Sequence, residues 1–323
     1  SLGLGAKQGK NGYLEGGKYV VTWALGHLVT LADPERYDSK YKNWNMEDLP
    51  MLPEKMKLEP IKQTRKQYET VKKLMNRTDI TTIVIATDAG REGELVARWI
   101  IDYAKIKKPL KRLWISSVTD KAIREGFEHL KPGKAYENLY HSAVALSEAD
   151  WVVGINATRA LTTKYNAQLS CGRVQTPTLA MIQHREEEIR NFKSREYYGI
   201  TALTEQESFT WNNGQTFDKA LAEKLVNSLQ GENAVITDVS MKEKKTFSPG
   251  LYDLTELQRD ANNRYDFSAK ETLNIMQTLY ERHKVLTYPR TDSRFISTDI
   301  VPTLKERLVA CGVGENAKAA RQI

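Results

Sequence analysis

One apolar run dominates the pattern of the chain. Thr82-Ile83-Val84-Ile85-Ala86-Thr87 is almost continuously hydrophobic, as in a strand covered on both faces, and it ends at Asp88. After the turn Ala89-Gly90-Arg91, the residues Leu95, Val96, Trp99, Ile100 and Tyr103 recur at helical spacing. This predicts a helix over about 92–104 whose acidic first turn suits the helix dipole. Leu113-Trp114-Ile115-Ser116 supplies a second strand, and Thr119-Asp120 is placed to cap a helix running to Leu130. Strand, helix, strand, helix predicts a parallel sheet with a right-handed crossover. Ligands of such sheets gather at the carboxyl ends of the strands, which is where Asp88 lies.

The remaining pattern divides the chain. Tyr19 to Ala24 has the β-branched and aromatic content of a strand, and His27 just after it reads as a structural hydrogen-bonding residue. Residues 33–62, with Pro34, Pro50, Pro53 and Pro60, read as a long surface excursion before a helix over 66–75. From Tyr136 to Phe192 the pattern is helical except for the polar stretch Gln168 to Pro177. Residues 196–246 change character, with strands expected at Tyr197–Leu203 and Ala234–Val239 and a turn at Asn212-Asn213-Gly214, as in a separate β-containing domain. Beyond the linker Ser248-Pro249-Gly250, helices are predicted over 255–265 and 268–283, with Ser268 and Glu271 placed as a capping box. Pro289 then enforces extended chain, in which Tyr288, Arg290 and Asp292 share a face. A phenol beside a guanidinium is a candidate nucleophile next to a fork that fits a phosphate oxygen. Taken alone, this stretch reads more readily as a strand tyrosine with a surface salt bridge.

Composition narrows the class. A chain of 323 residues can bury more than one core, and two to three domains are expected. No apolar run approaches the ~20 residues that span a bilayer, so the reading is a cytoplasmic protein. Cys171 and Cys311 are the two cysteines, without CxxC or His spacing, which argues against a disulfide framework or a zinc site. The net charge of +7, from 48 basic and 41 acidic residues, tilts the partner mildly towards polyanions. Residues 1–12 look like a glycine-rich phosphate loop but fail its spacing, with Asn11 after the lysine where Ser or Thr belongs, and read as a turn.

Two clusters carry candidate chemistry. Asp88, Glu92 and Glu94 crowd a strand end and a helix start, and hard oxygen donors with few companions suit Mg²⁺. Ordinary helix-terminus charge accounts equally well for Glu92 and Glu94, less well for Asp88. Ser170, Arg173, Gln175 and Thr176 suit phosphate and sugar contacts, although Ser170 or Thr176 serves as well as a helix cap.

Thr87-Asp88-Ala89-Gly90-Arg91-Glu92-Gly93-Glu94, Leu169 to Pro177, and Leu286-Thr287-Tyr288-Pro289-Arg290-Thr291-Asp292-Ser293, in this order, resemble the bacterial type IA DNA topoisomerases, the topoisomerase III branch in particular. Trp23 to Leu31 and Asp150 to Ala160 extend the likeness over nearly the whole chain. The resemblance implies a multidomain α/β and α+β fold: a TOPRIM parallel-sheet domain over 1–149, a helical DNA-binding segment over 150–195, part of a β-rich arch over 196–248, and the start of a helical tyrosine-bearing domain over 249–323. It implies Tyr288 as nucleophile and Arg290 at the scissile phosphate. It further implies Asp88 and Glu92 as Mg²⁺ ligands, Glu94 as a supporting acid, and Asp150, Ser170, Arg173, Gln175 and Arg91 as DNA contacts. The implied activity is single-strand cleavage through a 5′-phosphotyrosine link, strand passage and resealing without ATP, by a monomer associated with the bacterial nucleoid and acting on single-stranded or underwound DNA.

Two positions depart from the family pattern. Gly90 stands where relatives carry a second aspartate, and Leu146 where they often carry an arginine. The chain also starts downstream of the family's Glu-Lys motif and stops before its histidine-containing segment. Two other readings share part of this pattern: another TOPRIM enzyme, such as a primase or nuclease, and a non-catalytic single-strand DNA-binding fragment. Lacking the glutamate that donates a proton, the chain as written is expected not to sustain DNA relaxation. A plasmid relaxation assay in Mg²⁺ checks this, and sustained turnover would overturn it.

Overall fold

Residues 12–205, 207–233, 235–312 and 317 are described by a computed structural model, so the turn expected over 1–12 lies outside them apart from Gly12. The fold is mixed α/β with small sheets. It divides into two units, Ser1–Thr176 with Gly250–Ile323, and Pro177–Pro249.

The first unit opens with two short antiparallel pairs. Strand β1 (Tyr13–Glu15) pairs with β2 (Val20–Thr22), and β3 (Val29–Leu31) with β4 (Leu58–Pro60). Helix α1 (Arg65–Met75) follows, then β5 (Ile83–Ile85), α2 (Arg91–Tyr103) and β6 (Leu110–Arg112). Strands β5 and β6 are parallel, as the alternation of patterns predicts. Helix α3 (Asp120–Glu128), capped by the Thr119 hydroxyl, leads to β7 (Lys131–Pro132), antiparallel on β6. The second strand forms three residues earlier than expected. Leu113 still donates to the Ile85 carbonyl, but Trp114 leaves the sheet to stack on Tyr136, with ring centroids 4.5 Å apart.

Leu28, Val29, Tyr68, Val71, Met75, Ile85, Leu95, Trp99, Ile100 and Ile101 form the core, joined by Ala143 of the 29-residue helix α4 (Glu137–Tyr165). Burial pushes the Tyr68 hydroxyl up to about 12. The excursion over 33–62 is pinned to α4 rather than loose. The Asn156 side chain pairs with both backbone groups of Met51, Arg159 donates to the Tyr41 carbonyl at 2.7 Å, and the Trp151 indole donates to the Ala32 carbonyl at 3.2 Å.

Inside this core lies a network of charges. Glu94 is fully buried; one carboxylate oxygen accepts from Arg98 Nε at 2.8 Å and the other from Arg112 Nε at 2.5 Å. Arg112, also fully buried, turns its remaining nitrogens onto the carbonyls of Ile85, Thr87, Asp88 and Leu113. Arg98 donates to the Gly133 carbonyl at 2.6 Å. Five backbone carbonyls and one carboxylate thus satisfy two guanidiniums, the condition under which buried charge is tolerated.

Helix α5 (Gln175–Arg190) runs into the second unit, which holds the antiparallel pair β8 (Tyr198–Leu203) and β9 (Ser208–Thr216) and helix α6 (Lys219–Leu229). Thr204 and Glu207 close this hairpin, the Thr204 side chain and backbone both engaging Glu207. Asn212-Asn213-Gly214, expected as a turn, continues β9 instead, and a register shift between Gly199 and Thr201 absorbs the irregularity. Of the strand expected over 234–239, Ala234 lies outside the described residues, and the described part, 235–239, is not in a strand. After Gly250 the first unit resumes with α7 (Leu254–Tyr265), α8 (Ala269–Glu281) and the short α9 (Leu304–Cys311). Ser268 caps α8 as predicted, accepting from the Glu271 backbone at 3.1 Å.

Replacing Arg112 by Ala strands the Glu94 carboxylate in the core. A loss of about 3–5 kcal/mol in unfolding free energy is expected, read by urea denaturation; a loss below about 1 kcal/mol would show that the pair is not a structural hub.

Candidate functional site

The acidic loop is shaped by close packing at one glycine. The Gly93 α-carbon sits so near the preceding loop that a β-carbon there would lie 2.0 Å from the Asp88 carbonyl oxygen. Thr87 Oγ1 donates to the Gly93 carbonyl at 2.7 Å, and the Gly90 backbone donates to the Asp88 carbonyl at 2.9 Å. With Arg112 holding the carbonyls of Thr87 and Asp88 from below, the loop backbone is fixed while the Asp88 side chain stays exposed.

This geometry splits the three predicted acids. Glu94 points into the core and belongs to its two arginines, so it supports the loop from inside and does not join the other carboxylates. Asp88 and Glu92 are exposed at the strand end and first helical turn, and Arg91 is exposed beside them. His27 stands 3.6 Å from Glu92 Oε2, with its ring against Trp99 at a centroid distance of 6.4 Å. The histidine that reads from sequence more readily as structural than as a site residue therefore faces the acidic loop. No group of three His, Cys, Asp or Glu side chains is drawn together among the described residues. Two exposed carboxylates fit the sparse donor set of Mg²⁺, which keeps most of its waters, and do not fit a closed all-protein cage.

The second cluster lies on α4. Asp150, Gly154 and Thr158 recur at four-residue intervals, and the 168–177 segment packs along that stripe: Thr158 Oγ1 accepts from the Cys171 backbone at 3.0 Å and donates to its carbonyl at 3.3 Å. Arg173 forms a forked ion pair with Asp150. Its guanidinium holds the Asp150 carboxyl below the usual carboxylate range, and the carboxylate in turn raises Arg173. Gln175 Nε2 lies 3.3 Å from Ser170 Oγ, and both remain exposed. Thr176 accepts from the Gly172 backbone at 3.1 Å, a bond that ties the first turn of α5 back to the preceding loop.

The third predicted element is irregular extended chain rather than a strand. Tyr288 follows α8, half exposed, with its ring edge-on to Tyr280 at 5.7 Å, and Pro289 beside it is buried. Arg290 is exposed. The segment is tied to the start of α7, where Leu254 donates to the Thr291 carbonyl at 3.1 Å and Arg294 to that of Leu251 at 3.0 Å. No hydrogen bond or ion pair among the described residues joins Tyr288 or Arg290 to Asp88 or Glu92. The structure brings together Asp150 with Arg173 and Ser170 with Gln175, and leaves the tyrosine and the acids as separate elements of one unit. Arg112 and Arg98 escaped the sequence reading, although the Glu94–Arg98 pair at four-residue spacing was a visible signal.

Gly90 has no atom within 4 Å of where a β-carbon would stand, and its backbone is extended, so a side chain fits. Gly90→Asp is expected to tighten Mn²⁺ or Mg²⁺ binding by roughly tenfold, equivalent to about 1.4 kcal/mol, by adding a third carboxylate. Calorimetric titration of the metal checks this, and unchanged affinity would count against a metal site at the loop.

Comparison with known proteins bears on all three elements. A family described as DNA topoisomerase matches residues 134–322, and the Toprim domain family matches residues 6–118. DNA topoisomerase 3 of Bacillus anthracis is 67% identical over 318 residues, which is 97% of this chain and 44% of that protein. DNA topoisomerase 3 of Bacillus subtilis is 62% identical over the same shares. The chain thus spans less than half the length of the curated relatives it matches. Full-length topoisomerase I from Thermotoga maritima superposes with a TM-score of 0.59 at 26% identity, covering 89% of this chain and 47% of that one. With Toprim and topoisomerase regions in the order that the acidic loop, the α4 segment and the tyrosine segment demand, the chain belongs to the bacterial type IA DNA topoisomerases, in the topoisomerase III group.

Proposed function

We propose that this chain carries the strand-cleaving chemistry of a type IA DNA topoisomerase, acting on single-stranded or underwound DNA. The Tyr288 oxygen attacks a backbone phosphorus and gives up its proton to solvent, the bond to the 3′ oxygen breaks, and that oxygen takes up a proton from solvent and leaves as a 3′ hydroxyl while the 5′ phosphate remains on the tyrosine. Reversal restores the phosphodiester, so the bond count is conserved and no nucleotide is consumed. The observation that carries this reading is the half-exposed phenol of Tyr288, held by a buried Pro289 in a segment with Arg290 exposed two residues on.

In this reading Arg290 binds the scissile phosphate and steadies the charge that develops on it. Asp88 and Glu92 would hold Mg²⁺, which neutralises phosphate charge when bound. Glu94 acts through the loop it anchors, and Arg91 faces the phosphates beside it. Ser170, Arg173, Gln175 and Asp150 line the path of the strand along α4. The Arg173–Asp150 pair must open, or share its fork, to admit a phosphate, so occupancy by DNA competes with an exposed ion pair. The family domain layout suits the chain, with the Toprim region ahead of α4, an arch portion in the second unit, and the tyrosine segment after Gly250. We take the protein to be monomeric and to work at the bacterial nucleoid. Among the described residues no helix is long and apolar enough to cross a membrane.

Incubation with a labelled single-stranded oligonucleotide, quenched with denaturant, is expected to yield a covalent protein–DNA adduct that Tyr288→Phe abolishes and Arg290→Ala lowers by about 10²-fold. Salt-sensitive binding with no adduct would favour a purely binding role, and cleavage that persists in Tyr288→Phe would favour a Toprim nuclease.

A further inference from the structure

A carboxylate beyond the tyrosine segment meets the loop between β6 and α3. Asp299 Oδ2 accepts from Ser117 Oγ at 2.7 Å and from Thr119 Oγ1 at 2.6 Å, across 182 and 180 residues of chain. Each hydroxyl has a single proton, and both are spent on the same oxygen. Their lone pairs are occupied from the other side, Thr119 accepting from the Ala122 backbone at 3.3 Å as the cap of α3 and Ser117 from the Thr119 backbone at 3.4 Å. The pair is therefore oriented before Asp299 arrives. Bonds from Ser297, Thr119 and Ser117 hold the Asp299 carboxyl well below the usual carboxylate range, so it meets the hydroxyls as an anion.

The location matters more than the strength. Ser117 and Thr119 lie between β6 and α3, on the Toprim side, while Asp299 lies eleven residues beyond Tyr288 on the segment that takes the covalent bond. The bonds from Leu254 to Thr291 and from Arg294 to Leu251 stay within the tyrosine segment and would travel with it. No ion pair among the described residues spans residues 12–176 and 250–312, so the hydroxyl–carboxylate contact bridges them without one.

We propose that Asp299 and the Ser117–Thr119 hydroxyl pair form a latch that holds the tyrosine segment against the Toprim sheet and releases when the two ends of a cleaved strand are parted. The release step rests on the phosphotyrosine reading above; the latch itself rests on geometry alone. Two short neutral-to-charged bonds on one oxygen are lost together, so the contact is closed or open, with little between. Asp299 is a positioning residue in this account: it touches no reacting atom, and its removal changes where the tyrosine segment sits, not the chemistry of the phenol.

The test places spin labels on Val118→Cys and Val301→Cys, both exposed positions flanking the latch, in the full chain with Cys171 and Cys311 replaced by Ser. Pulsed electron resonance is expected to give one narrow short distance. Asp299→Ala should broaden and lengthen it. Ser117→Ala, which spares the α3 cap, should do so partially, with circular dichroism unchanged in both. Identical distance distributions in the parent, Asp299→Ala and Ser117→Ala would overturn the proposal, and Ser117→Ala decides alone should Asp299→Ala fail to fold. Adduct yield on a single-stranded oligonucleotide is measured in parallel. Failure to form an adduct would sink the phosphotyrosine reading without altering the label distances, which separates the two claims.

Discussion

Moving a carboxylate from water into an apolar interior costs several kcal/mol unless partners meet every lone pair, and Glu94 makes that move completely. It is met by Arg98 from its own helix and Arg112 from the adjoining strand, so the pair joins α2 to β6 through the core. Arg112 then spends its remaining donors on carbonyls at the end of β5, including those of Thr87 and Asp88. A buried charge thereby becomes a clamp on an exposed loop. The close approach of Gly93 to the Asp88 carbonyl closes the same loop from the helix side. Exposed carboxylates would otherwise gain freedom from their loop, and here the backbone beneath them has little to give.

The same logic recurs at lower stakes elsewhere. Asn156 replaces a backbone partner for Met51, and Arg159 supplies a donor to Tyr41 while stacking on Trp44 at 5.0 Å. A proline-rich stretch with few regular hydrogen bonds of its own is held against α4 by side chains that act as backbone substitutes. Thr158 does this for the 168–177 segment, binding both backbone groups of Cys171. Helix α4 is thus the surface on which irregular chain acquires fixed geometry.

Much of this was legible from residues alone, and the limits have physical causes. The β5–α2–β6 alternation could be read because an apolar run and a helical period are local signals, and Ser268 and Thr119 announced their caps. The end of β6 was misplaced because Trp114 and Leu113 look equally strand-like until Tyr136, distant in sequence, draws the indole away. Asn212-Asn213-Gly214 has ideal turn chemistry, and the chain uses it for a bulge within β9 and not for the hairpin turn: the three residues fall in the register shift, without partners in β8, and Gly214 takes a φ of +74°. At the site, the tyrosine, the acidic loop and the α4 segment were visible as motifs, but which acids face outward was not. The choice between Glu92 and Glu94 turns on Arg112, eighteen residues further along the chain than Glu94, and burial of that kind leaves no local signature.

Helix α4 has a mechanical consequence. At about 1.5 Å per residue its 29 residues form a rod roughly 43 Å long. Ala143 seats one part of it in the core beside α2, and Asp150 to Thr158 carry the opposite part to the polar segment. A helix of this length bends only gently. The rod that carries Asp150 and its Arg173 partner thus rests, near its beginning, on the helix whose first turn bears Glu92, and Trp151, Asn156 and Arg159 fix its far part a second time, to the 32–51 stretch.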